Sequence, residues 1–242
     1  MRRFYIPPSG RQGRRLIFPA PTARHIVRVL RLKKGEEIEV FDGRGREYEA
    51  VLDIVSPRRV EAVITTEKQS TPPRRSSLTL AQGLLKGADL SRVIRQSVEL
   101  EISDFYPLIT ERCVVRTTRR GERWSRIAAE AARQSGQSLI PIIHSPLKWM
   151  DFISLGADYD LRLLAWEEER QQSMKSALLD FQPDSSPARV LIAIGPEGGF
   201  TRPEVDLARA ADFQAVTLGP TTLRAATAGV AALSALHFHF GI

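Results

Sequence analysis

The chain has a single cysteine, Cys113, in 242 residues. One thiol cannot close an internal disulfide or build a cysteine-rich zinc site. No uninterrupted apolar run reaches the roughly 18 residues that a membrane-spanning helix needs. The N-terminus reads Met-Arg-Arg with no apolar segment behind it, unlike a secretory leader. These absences predict a cytoplasmic protein that meets no membrane. What is present is globular in kind. Hydrophobic residues make up 43% and charged residues 26%, which excludes a disordered or collagen-like chain. The length suits one large domain or two small ones.

Acidic residues are missing from one region in particular. Met1 to Lys34 carries ten basic residues and no acidic one. Residues 1–70 hold 15 Lys+Arg and 9 Asp+Glu, a net of +6 out of +7 for the whole chain. Of the 35 basic residues, 29 are arginine, whose planar fork matches phosphates and bases better than lysine does. A bias toward arginine codons explains the Arg/Lys ratio equally well. It does not explain the missing acids, so a polyanion, foremost nucleic acid, is the expected partner.

The pattern of apolar residues divides the chain in two. Short strands are expected at Arg3–Ile6 and Leu16–Phe18, with a helix at Ala23–Leu30 capped by Thr22 after Pro21. Strands at Glu36–Phe41, Glu47–Val55 and Arg58–Thr66 follow, the first ending at the hairpin signal Asp42-Gly43. So many short strands in about 70 residues suggest a small β-barrel. The polar, proline-bearing stretch 68–77 reads as a linker between a domain at 1–70 and another at 71–242. Beyond it, strands at Leu78–Leu84, Phe105–Ile109, Pro141–His144, Leu161–Ala165, Val190–Ile194 and Ala215–Leu218 are expected. They alternate with helices at Leu90–Leu100, Arg123–Gln134, Pro146–Leu155, Met174–Leu179, Arg202–Ala210 and Ala225–Phe238. Alternation of this kind with fully apolar strands predicts an α/β domain on a mainly parallel sheet.

Two turns could carry chemistry. Ile194-Gly195-Pro196-Glu197-Gly198-Gly199-Phe200 follows an apolar strand and opens a helix. Glycines there let a ligand approach the backbone at the carboxyl end of a parallel sheet. It is neither the G-x-G-x-x-G dinucleotide fingerprint nor a P-loop. Leu218-Gly219-Pro220-Thr221-Thr222-Leu223-Arg224-Ala225-Ala226-Thr227-Ala228 also follows a strand and opens a helix. Side by side, the two turns would frame a small-molecule site built largely from backbone groups. The last helix is small or apolar all round, which predicts burial in the core or at an oligomer interface. His237 and His239 on it read as packed or terminal residues, not ligands, and His25 reads as structural.

The pair IGPEGGF and LGPTTLRAATA resembles the cofactor-binding signature of the SPOUT (knotted) RNA methyltransferases, and more narrowly of the RsmE family. Other segments match in order. His25-Ile26-Val27-Arg28-Val29-Leu30-Arg31 with Gly35 is similar to the family's HxxxVLR element. Lys86-Gly87 with Gln96 to Leu100, and Glu130-Ala131-Ala132-Arg133-Gln134-Ser135-Gly136, are similar to two further elements. Each motif is moderately specific; the ordered set spans residues 4 to 236. Three positions depart from the family pattern. Ala226 stands in place of a glutamate, Glu101 follows Leu100 in place of glycine, and Gln137 stands where an arginine is usual.

The resemblance implies a trefoil-knotted SPOUT domain preceded by a small PUA-like β-barrel that grips RNA. It implies methylation of N3 of a uridine in 16S rRNA within the 30S subunit, with S-adenosyl-L-methionine as cofactor, no metal, and a homodimer. The cofactor would meet Leu164, Gly195, Pro196, Glu197, Gly198, Gly199, Leu218, Gly219, Leu223, Thr227 and Ala228. Arg224 is the leading catalytic candidate, with Glu130 and Gln134 beside it. Glu197 would orient Arg224 or hold the loop. Arg2, Arg3, Arg11, Arg14, Arg15, Arg24, Arg28, Arg31 and Arg133 form the pool for RNA contact. The alternative is a noncatalytic RNA-binding or ribosome-assembly factor on the same fold, which Ala226 favours.

Overall fold

The computed structural model describes residues 2–69, 76–115, 121–182 and 187–242. The proposed domain boundary at 70/71, and most of the linker at 68–77, lie outside the described residues. The chain forms two compact units. The first comprises residues 1–72 and returns for 132–140; the second comprises 73–131 and 141–242.

The first unit is a six-stranded sheet in the order β1-β4-β5-β6-β3-β2. The strands are β1 (Arg2–Tyr5), β2 (Arg11–Gln12), β3 (Arg15–Ile17), β4 (Glu37–Phe41), β5 (Arg46–Val55) and β6 (Val60–Gln69). Pairing is antiparallel except between β1 and β4. Alternate residues such as Ile38, Val40, Ala50, Leu52, Ala62 and Ile64 face one core with Phe4, Leu16 and Ile26, as period-two strands dictate. The Asp42-Gly43 signal opens a four-residue loop. Asp42 Oδ1 accepts the Arg44 and Arg46 N–H groups, and Gly43 and Gly45 take positive φ.

The helix of this unit differs from expectation. Helix α1 (Ala20–Arg24) starts three residues earlier than the sequence suggests, with Pro21 in its first turn. Proline costs nothing there, because a first-turn N–H has no intrahelical partner. Thr22 is therefore inside the helix and not its cap. The chain then widens into a π turn, His25–Val29, and leaves it at Arg31 with φ 53°.

Residues 132–140 complete this unit. Arg3 Nη2 donates to the Gln137 carbonyl at 3.0 Å and pairs with Glu47 at 2.8 Å. The Gly45 N–H donates to Ser138, and the Ile140 N–H to Gly43. A Cβ on Gly43 would lie 2.8 Å from Ile140 Cδ1. Nothing local in the sequence marks this return, because every partner is about 90 or more residues distant.

The second unit is a parallel sheet in the order β10-β8-β7-β12-β11-β13, with β9 beside β8. Its strands are β7 (Ser77–Gly83), β8 (Asp104–Ile109), β9 (Ile142–Ile143), β10 (Leu147–Lys148), β11 (Leu161–Ala165), β12 (Arg189–Ile194) and β13 (Gln214–Val216). The helices are α2 (Asp89–Glu99), α3 (Gly121–Ser135), α4 (Trp149–Ile153), α5 (Met174–Asp180), α6 (Arg202–Ala210) and α7 (Ala225–Phe240). One sheet face buries Ala81, Leu108, Leu164, Leu191 and Ala193 against Trp149, Phe152, Phe200, Val205 and Phe213. The other carries α2 and α7, with Leu80 and Val93 beside Gly229.

One expectation changes here. Pro146–Leu155 is not one helix. It is the edge strand β10, the short α4 and a 3-10 turn at Ser154–Asp158, since Leu147 pairs with Leu108 before the helix can begin. Helix α7 is apolar all round but buried on one side within the chain. Ala228, Gly229, Ala232, Leu233 and Leu236 face inward, while Ala231, Ser234, Ala235 and Phe238 are exposed.

Arg3→Met should destabilise the protein by about 1–3 kcal/mol in urea unfolding, because it leaves the Gln137 carbonyl and the Glu47 carboxylate without this donor. A change under about 0.5 kcal/mol would mean that residues 132–140 are held mainly by other contacts.

Candidate active site

The site is built from three loops at the carboxyl ends of β11, β12 and β13, where a parallel sheet presents ligands with free backbone groups. After β12, the Gly199 N–H donates to the Pro196 carbonyl at 3.0 Å and closes a tight turn. Gly199 takes φ 69°. A Cβ there would lie 2.0 Å from Glu167 Oε1, the movable end of its side chain, so it is the positive φ that favours glycine at this position. Thr201 then begins α6, its N–H donating to Glu204 Oε2 at 2.9 Å. Glu197 Oε1 accepts the Lys86 N–H at 2.9 Å and ties the turn to the chain beyond β7. Arg112 Nη1 donates to the Gly198 carbonyl at 2.9 Å and ties it to the chain beyond β8.

After β13, Thr217 Oγ1 donates to the Gly219 carbonyl. The chain bends at 219–221 and reaches Arg224, itself extended, whose carbonyl accepts the N–H groups of Thr227 and Ala228 at 2.8 Å as α7 begins. The third loop follows β11 and was not foreseen from the sequence. It is organised by Glu169, which is 7% exposed. Its Oε1 accepts the N–H groups of Arg170, Gln171 and Gln172, and its Oε2 accepts Arg209 Nη2 at 2.7 Å. Burial alone would raise the Glu169 pKa, but the three backbone donors and Arg209 hold it below the usual carboxylate value.

Between these loops lies a cleft of about 610 Å³, the size of a pocket for a drug-sized molecule. Leu85, Ile194, Leu218 and Leu223 give it apolar walls. Asp89, Glu167 and Glu197 supply negative groups, and Arg92, Arg170 and Arg224 positive ones. Such a lining suits a zwitterion with a flat apolar part. Among the described residues, no group of three or more His, Cys, Asp or Glu could hold a metal ion. Among them, too, no helix is long and apolar enough to cross a membrane.

The structure brings many of the sequence candidates to this cleft. Gly195, Pro196, Glu197, Gly199, Leu218, Gly219, Leu223, Arg224, Thr227 and Ala228 all line it. Leu164 does not: it is fully buried beneath, and its neighbour Ala165 forms the wall instead. Gly198 also lies off the wall, and a Cβ there would meet Arg112 Cβ at 3.1 Å. Glu197 makes its bond to Lys86, and no hydrogen bond or ion pair joins it to Arg224 among the described residues. Glu130 and Gln134 are exposed on α3 and do not line the cleft. Arg133 donates to the Arg3 carbonyl at 3.4 Å.

The arginine pool separates into two groups. Arg3 pairs with Glu47, Arg15 with Glu61, and Arg11 with Glu67. The Glu67 hydrogen bond holds the Arg11 pKa well above its usual value. Arg2 and Arg14 donate to the carbonyls of Leu30 and Ile64. Arg24, Arg28 and Arg31 are exposed, and their side chains make no hydrogen bond or ion pair among the described residues.

Comparison with known proteins agrees with this architecture. The RNA methyltransferase domain family matches residues 72–237, and the RNA methyltransferase PUA domain family matches residues 18–65. A ribosomal RNA small subunit methyltransferase E from Synechocystis is 36% identical over 214 residues, covering 88% of this chain and 69% of the relative. The chain belongs to the ribosomal RNA small subunit methyltransferase E family. A family member from Bacillus subtilis is 32% identical over 256 residues and covers 98% of this chain and 96% of its own. The solved Neisseria gonorrhoeae member, bound to S-adenosylmethionine, superimposes with a TM-score of 0.86 at 32% identity, covering 98% of this chain and 97% of that one. A methyltransferase from Legionella pneumophila, also solved with that cofactor, gives a TM-score of 0.87 at 29% identity over 98% of this chain and 96% of that one. The sheet and two-unit organisation described above are therefore those of the RNA methyltransferase family.

Because the folded-state pKa of Glu169 is depressed, its contribution to stability is present above the unfolded value near 4.5. It is lost as pH falls through the folded value. Thermal unfolding of Glu169→Gln between pH 3 and 7 should show a shallower acid limb than wild type. An identical limb would remove Glu169 as the group that holds this loop.

Proposed function

We propose that this chain transfers the methyl group of S-adenosylmethionine to N3 of a uridine in 16S rRNA. The observation that carries this reading is the cleft between the turns at 195–199 and 217–224, in a chain that aligns with cofactor-bound relatives over nearly its whole length. The cleft fits the cofactor. Its apolar walls at Leu85, Ile194, Leu218 and Leu223, with side chains of both charge signs beside them, are what a zwitterion with an apolar part would need. When bound, S-adenosylmethionine supplies an electrophilic methyl group on a sulfonium centre.

The residues of the chain do the rest. The backbone of Gly195–Glu197 and Gly199, with Leu218, Gly219, Leu223, Thr227 and Ala228, would hold the donor. Uracil N3 carries a proton in the imide and becomes nucleophilic only when that proton leaves. Arg224 stands at the cleft with no carboxylate bonded to it among the described residues, so its charge is available to stabilise the uracil anion. Glu197 holds the turn to Lys86 and so positions the wall beside it. Glu130 and Gln134, one helical turn apart on the exposed side of α3, belong to the substrate-facing surface in this reading. Arg24, Arg28 and Arg31 carry the RNA contacts, since Arg3, Arg11 and Arg15 are engaged by carboxylates. A homodimer through the exposed small-residue side of α7, a trefoil-threaded cofactor domain, a 30S substrate and a cytoplasmic setting complete the proposal.

Incubating purified 30S subunits or free 16S rRNA with the protein and S-adenosylmethionine, followed by mass spectrometry, should show 3-methyluridine. Neither substrate acquiring it would overturn the assignment. Arg224→Met should lower kcat about 100-fold with little change in cofactor affinity. A tenfold weaker Kd with normal kcat would make Arg224 a binding residue instead. The second reading, a noncatalytic assembly factor suggested by Ala226, predicts no calorimetric binding of S-adenosylmethionine at millimolar concentration.

Gly199→Ala, which puts a side chain at φ 69° and pushes the Glu167 carboxylate aside, should clearly weaken cofactor binding in the same titration, whereas Gly198→Ala, whose nearest neighbour is Arg112 Cβ at 3.1 Å, should bind within a few-fold of wild type. The reverse order would mean that the turn presents its other face to the ligand. Replacing Arg24, Arg28 and Arg31 with glutamine should reduce the slope of log K against log[salt] by about 1–3 in RNA binding. The triple change at Arg11, Arg14 and Arg15 should leave that slope nearly unchanged. If the first triple variant keeps the wild-type slope, the exposed π-turn surface is not the grip.

A further inference from the structure

Gln82 lies next to the end of β7, on the sheet face that carries α7, and is fully buried. Its backbone pairs in register with Ile194 of β12, so the strand ladder is complete without its side chain. That side chain reaches one residue beyond the ladder. Nε2 donates to the carbonyl of Gly195 at 3.0 Å. The amide orientation is dictated by its partner, because an oxygen in place of Nε2 would face another acceptor. Oε1 is then turned toward α7, where it is buried with no hydrogen-bond partner among the described residues. Gly229 makes room for it: a Cβ there would lie 2.7 Å from Oε1.

A half-satisfied buried amide is costly, and an apolar side chain of the same length would avoid the cost. What Gln82 supplies is control of one peptide plane. The next residue is Pro196, which has no N–H. The Gly195 carbonyl is therefore the only polar group on the Gly195–Pro196 peptide, and Gln82 holds it. That peptide leads directly into the Pro196–Gly199 turn that walls the cleft. We propose that Gln82 is a positioning residue, setting the Gly195–Pro196 peptide so that the following turn is formed before the cofactor arrives. It rests on the cofactor reading above and acts through the loop without touching the ligand. Gly229 is its counterpart on α7, the small residue that lets the amide oxygen sit where it does.

Two variants test this, with S-adenosylmethionine titrated calorimetrically between pH 5.5 and 8.5 and each Kd divided by the wild-type value at the same pH. Thermal unfolding of each variant is followed in parallel. Gln82→Glu keeps the shape, but its ionised form faces the Gly195 carbonyl with acceptors only. Its protonated form can donate as the amide does, and burial favours that form. The expected Kd ratio is about 10 or more at pH 8.5, falling toward 1 at pH 5.5. Gln82→Met, which cannot donate at any pH, should show a similar ratio throughout. A merely structural role would change stability without this pH-dependent ratio. If wild type binds and the ratio for Gln82→Glu is flat, or that for Gln82→Met stays near 1, the positioning role is overturned. If Gln82→Glu unfolds at high pH, Gln82→Met decides alone. If wild type itself binds nothing at millimolar ligand, the cofactor reading falls and this inference with it.

Discussion

The cleft depends on a close approach between two backbones. Gly83, at the end of β7, lies so near the chain leaving β12 that a Cβ on it would stand 2.4 Å from the Pro196 nitrogen. No side chain can enter that space. Because the strands touch there, the Lys86 N–H reaches Glu197 and the Gln82 amide reaches Gly195. The turn is thus clamped on its β7 side, while Arg112 holds the Gly198 carbonyl. Preorganised backbone groups of this kind bind without first losing the entropy of a disordered loop.

Charge is used in two distinct ways along the chain. In the first unit, much of the basic excess is neutralised internally: Glu47, Glu61 and Glu67 each engage an arginine, and Arg11 also stacks over Tyr48. The surplus that remains is concentrated around the π turn at His25–Val29. In the second unit, the cleft mixes both signs at close range. One arrangement suits a long polyanion and the other a small zwitterion, and formal net charge alone cannot separate them.

The parallel sheet was legible because its inner strands are continuous apolar runs such as Val190–Ile194, and α6 because it follows directly on the glycine-bearing turn that ends at Phe200. The two glycine-bearing turns were legible for the same local reason. The two-residue strands β2 and β10 were not, since they are too short to show a period and exist only through their partners. The third wall of the cleft was missed because the loop after β11 carries no glycine signature. It is shaped by one buried carboxylate whose cation, Arg209, lies 40 residues away. The start of α1 was misplaced because Thr22 offers a good cap that the backbone does not use.

The return of residues 132–140 to the first unit bears on the order of events as the chain is made. Synthesis proceeds from the N-terminus, and domains generally fold as their residues become available. Here six strands exist by Gln69, yet the Gln137 carbonyl, the Ser138 carbonyl and the Ile140 N–H that engage them are not made until some 70 residues later. By then β7, α2 and β8 of the second unit have already been synthesised. The smaller unit, first to begin, therefore receives its last residues only after part of the larger one has been made.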